Sequence, residues 1–184
     1  MKCLSVATTN AHQIGGGAYL IGKQQDYLLY EYRPSFAKPL LFPLEKLRFI
    51  RRLRFLYELF HGGYRVYYLV KNDNVLGYCV VTPGGRRLKE STNDDIVLGP
   101  YFICPQYRGL GYAKQLVGMT LRFCSYKYAY AYDWIHCSNV ASIKTSKSIG
   151  MKMVGKLSVV GRFRKLVPDK NGNYIVFRLD KNAR

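Results

Sequence analysis

Apolar positions along the chain fall into short runs separated by glycine, proline and asparagine, a pattern that predicts many strands and few helices. Little periodicity is visible in the first thirty residues, which contain Gly15-Gly16-Gly17, but Tyr27 to Tyr32 alternates weakly and predicts a first strand. Pro34, Pro39 and Pro43 then predict an extended linker, since each fixes φ and lacks an N–H. Between Leu44 and Phe60 the apolar residues Leu47, Ile50, Leu53, Tyr57 and Phe60 recur at helical spacing, with Arg48, Arg51 and Arg52 elsewhere around the turn. This predicts a basic amphipathic helix whose apolar stripe covers a core, the other use of such a helix being to lie on a membrane or an acidic partner. Gly62-Gly63 ends it, and two strands, Tyr64 to Val70 and Val75 to Thr82, follow as a hairpin through Lys71-Asn72-Asp73-Asn74.

After Pro83-Gly84-Gly85 and a charged loop, Asp95 to Cys104 reads as a fourth strand interrupted by Pro100. A proline cannot donate to a ladder, so a bulge or an unpaired side is expected there. A glycine turn leads into a helix from Gly111 to Lys127, and Tyr128 to Cys137 is a fifth strand. Its row of Tyr128, Tyr130 and Tyr132 reads as a packing face, with nucleic-acid stacking as the alternative. Lys152 to Phe163 and Tyr174 to Leu179 close the sheet as a hairpin through Asp169 to Asn173, and no internal repeat appears.

At 184 residues the chain is expected to form one domain, 1–184, around a single core. No apolar run reaches membrane-spanning length, and Met1 to Thr9 is too short and polar for a secretory signal, so a soluble, cytoplasmic protein is expected. Cys3, Cys79, Cys104, Cys124 and Cys137 show no C-x-x-C pairing, which predicts reduced, mostly buried thiols and no metal site. The net charge of +18 changes the picture more. Such a field draws in anions and opposes polycations such as polyamines and basic tails, while saying nothing about fold. A nucleic acid or an anionic membrane face is a further class of partner consistent with it.

The candidate chemistry lies between Tyr101 and Cys124, where an apolar strand runs through Gly109 and Gly111 into a helix. Glycine permits positive φ and close approach of a ligand, and the helix start presents unpaired N–H groups and the positive end of its dipole. An anion is expected there. Arg108 at the lip and Lys114 in the first helical turn add charge.

Pro105-x-Tyr107-Arg108-Gly109-x-Gly111-x-Ala113 after an apolar strand resembles the pyrophosphate-binding signature of the GNAT superfamily of acyl-CoA N-acyltransferases. A second segment, Asn139 to Met151, resembles that family's later motif through Asn139, Ser142, Gly150 and Met151. The resemblance implies an α+β fold: a mixed, mostly antiparallel central sheet of six to seven strands, splayed between strands four and five and flanked by helices. It also implies acetyl-CoA as acyl donor with no metal, and attack by an amine with no covalent enzyme intermediate. Coenzyme A would be held by Tyr101, Phe102 and Ile103, which pair with the pantetheine arm, by the turn Arg108, Gly109, Leu110, Gly111, Tyr112 and Ala113, and by Asn139. The backbone N–H of Tyr101 would serve the developing oxyanion. Taken with the charge, the implied acceptor is the amine of an anionic small molecule such as a nucleotide-linked amino sugar. A protein amino terminus is the second acceptor. The rival is a basic module for RNA or an anionic membrane that keeps the fold without catalysis.

The catalytic positions depart from the family's pattern. Val97 stands where histone-type members carry a base Glu, leaving His136 and Asp95 as candidate bases, or a water chain. Ser146 stands where many relatives have an acidic Tyr, and a serine could only hydrogen-bond the sulfur or relay a proton.

Overall fold

A computed structural model describes residues 17–38, 49–85, 88, 91–160 and 165–181, with the backbone alone for 49–52, 54 and 165. The strands are β1 (Ala18–Gln24), β2 (Tyr27–Tyr32), β3 (Arg65–Lys71), β4 (Asn74–Pro83), β5 (Ile96–Ile103), β6 (Tyr130–His136), β7 (Lys152–Val160), β8 (Lys165–Pro168) and β9 (Tyr174–Asp180). The helices are α1 (Phe49–Phe60), α2 (Tyr112–Phe123) and α3 (Val140–Ser148). The fold is mixed α+β with a mostly antiparallel sheet, its hydrogen-bonded order β1-β2-β3-β4-β5-β6-β9-β7-β8. Nine strands replace the expected six or seven for two reasons. Gln25 at φ +52° closes a β1–β2 hairpin, and Lys165–Pro168 pairs with the second half of β7 as a separate strand. Both additions lie in stretches of weak alternation, and β1 leaves Tyr19 and Leu20 exposed.

The chain divides into two compact units, one of residues 1–82 and 100–123, the other of 83–99 and 124–184. In the first, β2 and β3 pair in unbroken antiparallel register, and the β3–β4 hairpin turns on Asn72 and Asp73 at φ +47° and +59°. Two successive positive φ values are what a two-residue loop needs to match the strands' right-handed twist, which is why the K-N-D-N signal was legible. One face of these strands packs Tyr32, Val66, Tyr68, Val70 and Val80 with Phe55 of α1 and with Tyr64, while α2 packs on β1, β2 and β3. Gly22 admits the Phe123 ring, which a side chain at that position would meet at 2.5 Å.

Helix α1 overturns the sequence expectation. The predicted stripe faces outward: Leu53, Tyr57 and Phe60 are 47%, 56% and 68% exposed, whereas Phe55 and Glu58 are buried. Tertiary packing of Phe55 against Tyr64, with ring centroids 5.1 Å apart, chose the opposite face. Leu47 and Arg48 lie outside the described residues, as do the side chains of Ile50, Arg51 and Arg52.

In the second unit β6 pairs with β9 along its whole length, and β9 with β7. Tyr132 of β6 is buried with Leu88, Val97, Leu157 and Val176, and Tyr130 and Trp134 pack against this cluster, so the tyrosine row is a packing face. Gly172 lies under the backbone of Leu157, whose carbonyl oxygen a Cβ would meet at 2.2 Å, so the loop before β9 requires glycine. Among the described residues no helix is long and apolar enough to cross a membrane, and no cluster of three His, Cys, Asp or Glu is placed to hold a metal ion. None of the four described cysteines is in a disulfide, but only Cys79 is buried, and Cys137 is exposed.

Candidate functional site

Strand β5 pairs with β6 only near its start. Ile96 and Val97 pair in parallel with Ala131 and Tyr132, then Gly99 at φ +101° and Pro100, which has no N–H, end that ladder. The strand's second half belongs to the first unit, where β4 lies close beside it. A Cβ at Gly77 would stand 2.2 Å from the Phe102 carbonyl oxygen, and the Cys104 N–H donates to the Leu76 carbonyl at 2.9 Å. Glycine at 77 is thus what lets β4 support Tyr101–Ile103.

Beyond Cys104 a single 3-10 turn, Pro105–Tyr107, redirects the chain, and the Arg108 N–H returns to the Pro105 carbonyl at 3.2 Å. Gly109 and Gly111 both sit at φ +80°, with no atom beyond the adjacent residues within 4 Å of where a Cβ would be. The glycines therefore serve backbone conformation and open space, not internal packing. Helix α2 begins at Tyr112 with no acidic residue in its first turn, so its leading N–H groups and dipole are not offset by a carboxylate of that turn. The arrangement suits an anion. Arg108 is more constrained than a free fork: its Nε donates to the Ile103 carbonyl at 3.0 Å and its guanidinium lies 5.0 Å from the Phe102 ring centre. Phe102 stacks in turn on Tyr78, and the Tyr112 ring meets Tyr27 and Tyr107 edge-on. Arg108 thereby ties the turn back to β5.

The remaining sequence candidates lie in the second unit. Asp95, expected to open the fourth strand, precedes β5. Its buried carboxylate accepts from the Thr92 N–H and hydroxyl at 2.7 and 3.0 Å and from the Tyr130 N–H at 3.0 Å. Three donors commit it to holding the loop and the start of β6. Ser146 is buried and donates its hydroxyl to Asp133 at 2.9 Å, which directs it to a carboxylate on β6. Asn139 caps α3, its side-chain oxygen accepting from the Ser142 N–H at 3.2 Å. His136 is exposed, edge-on to Tyr174 at 5.1 Å, with Nδ1 2.7 Å from the Ser138 hydroxyl oxygen. The Ser138 backbone N–H also donates to Nδ1 at 3.3 Å, which makes Nδ1 an acceptor and puts the hydrogen of the neutral ring on Nε2. Val97 is fully buried in the cluster around Tyr132, an apolar position with no place for an ionised carboxylate.

Sequence reasoning missed three features. Asp133 is a buried carboxylate in the middle of β6, and a lone Asp in an aromatic strand is the signal that could have found it. Ser138 orients the imidazole from two residues away. In the first unit Glu31 is fully buried, accepting from the Tyr67 hydroxyl at 3.0 Å and paired with Arg33, whose guanidinium it pushes above its ordinary pKa by hydrogen bond and charge. Arg33 also lines a cavity of about 470 Å³ with Gly17, Tyr19, Tyr32, Ser35 and Lys38, none of them from the glycine turn.

Comparison with known proteins gives the family and the fold. Residues 27–151, more than half of the chain, match the sequence model of the acetyltransferase (GNAT) family. A search of curated proteins finds no match. Among solved structures, an Acinetobacter baylyi acetyltransferase superposes with a TM-score of 0.57 at 17% identity, covering 84% of this chain and 93% of that one. A Salmonella typhimurium acetyltransferase with acetyl-CoA gives 0.51 at 20% identity, covering 75% and 76%. A ribosomal-protein-alanine N-acetyltransferase from Brucella melitensis gives 0.52 at 19% identity, covering 73% and 79%.

Proposed function

Starting from the chain's membership of the acetyltransferase (GNAT) family, we propose that it transfers an acetyl group from acetyl-CoA to a primary amine on an anionic small molecule, such as a nucleotide-linked amino sugar. The glycine turn carries this reading. Two residues at φ +80°, open space over both, and a helix start with no acidic residue in its first turn form a cradle for a diphosphate. Arg108, Gly109, Leu110, Gly111, Tyr112 and Ala113 supply it, and Tyr101, Phe102 and Ile103 offer backbone to the pantetheine arm beyond the Pro100 break. The amine attacks the thioester carbonyl, the C–N bond forms as the C–S bond breaks, and coenzyme A leaves as thiolate. The Tyr101 N–H serves the oxyanion, because Pro100 has none to give.

His136 is the base that takes the amine's proton, with Ser138 anchoring its ring at Nδ1. Asp95 and Ser146 are the weaker candidates, since hydrogen bonds already engage the carboxylate of one and the hydroxyl of the other. Support for an anionic acceptor comes from the +18 charge and from the cavity bearing Arg33 and Lys38.

Titration calorimetry with acetyl-CoA tests the reading. The native chain binds, and Gly111→Val, which cannot hold φ +80° without strain and fills the space over the turn, loses at least about tenfold in affinity. Unchanged affinity in that variant overturns the placement. Binding without acetyl transfer to any amine in a broad acceptor screen would favour a binding module that keeps the fold.

A further inference from the structure

We propose that the outward face of α1 docks the protein on an anionic membrane surface. The observation is an inverted helix. Leu53, Tyr57 and Phe60, spaced i, i+4 and i+7, form one stripe, and all three are exposed although a helix of this composition ordinarily buries such a stripe. Phe36 extends the patch: it is 69% exposed and its ring centre lies 5.0 Å from that of Phe60. The Tyr57 ring stacks on His61 at 4.0 Å, so the end of the helix presents amphipathic rings side by side.

Charge selects the occupant. The sequence through this segment carries Lys46, Arg48, Arg51, Arg52 and Arg54 against Glu45 and Glu58, and Glu58 is buried on the inner side of α1. Lys38 lies exposed two residues from Phe36. Aromatic and aliphatic side chains in an arginine-rich helix are the composition of an interfacial helix, with rings at the headgroup level and cations on the lipid phosphates. A second copy of the chain is disfavoured as the occupant, because it would bring +18 against +18. At twelve residues α1 is too short to span a bilayer and suits lying in its surface.

The full chain is tested by flotation with phosphatidylcholine vesicles, with and without phosphatidylglycerol. Binding is expected only to the anionic vesicles and weakens with added salt. Leu53→Ser/Tyr57→Ser/Phe60→Ser removes it, and Arg52→Glu/Arg54→Glu lowers partitioning more than about tenfold at low salt. Acetyl-CoA affinity is measured in the same variants as a check on folding that does not involve the vesicles. No flotation with either vesicle overturns the proposal, as does equal binding to neutral vesicles. Concentration-dependent dimerisation abolished by the triple serine variant would assign the face to a second copy, and an acidic protein displacing the vesicles without lipid dependence would assign it to that protein.

Discussion

His136 depends on a neighbour that no motif marks. The hydroxyl oxygen and backbone nitrogen of Ser138 lie 2.7 and 3.3 Å from Nδ1 and fix the orientation of the ring. His136→Ala is expected to lower turnover about a hundredfold. Ser138→Ala is expected to lower it severalfold and to alter the pH profile of kcat/KM, without changing the KM for acetyl-CoA. An unchanged profile in both variants transfers the role of base to another group. Asp133 carries a fainter mark, a lone carboxylate among Tyr130, Tyr132 and Trp134, with no spacing rule to give its partner. Its partner Ser146 is thirteen residues on and meets it only because α3 packs back on β6. Arg108 and the two glycines were legible, since positive φ and a charged lip are local properties.

Helix α1 and the β8–β9 loop show how elements respond to context. In α1 the buried face is centred on Phe55, so Phe55→Ala is expected to cost about 3–5 kcal/mol in urea unfolding. Leu53→Ser, on the exposed stripe, stays within about 0.5 kcal/mol. The reverse order of effects would restore the face that periodicity alone suggests. In the β8–β9 loop, Asp169 accepts from the Ser158 hydroxyl at 2.6 Å and the Asn171 N–H at 2.9 Å, and these bonds hold its carboxyl below the ordinary range. A carboxylate with a folded pKa below its unfolded value adds stability above the unfolded value and loses it as pH falls through the folded one. Acid titration of stability is therefore expected to show a loss below the ordinary carboxylate range that Asp169→Asn removes. Exposure to solvent keeps this effect small.

For the molecule as a whole, the +18 charge sets the field that any acceptor must cross. Added salt is expected to raise the KM of an anionic acceptor, as screening shortens the reach of that field to about 10 Å at 0.1 M. A screen at low ionic strength in which spermidine outperforms amino-sugar nucleotides would reverse the inferred sign of the acceptor. Several features decided by a few adjacent residues could be read along the chain: the Asn72-Asp73 hairpin, the break at Pro100, the glycine turn and the net charge. These follow from backbone conformation, a missing N–H and a sum over residues, none of which needs a partner distant in sequence. Folding decided the rest. Which stripe of α1 is buried depends on Phe55 meeting Tyr64, the engagement of Asp95 depends on Tyr130 arriving opposite it, and Ser146 turns to Asp133 because burial leaves its hydroxyl needing an acceptor. Burial and long-range hydrogen bonding are relations between segments far apart in the chain, so periodicity and motif spacing carry no record of them.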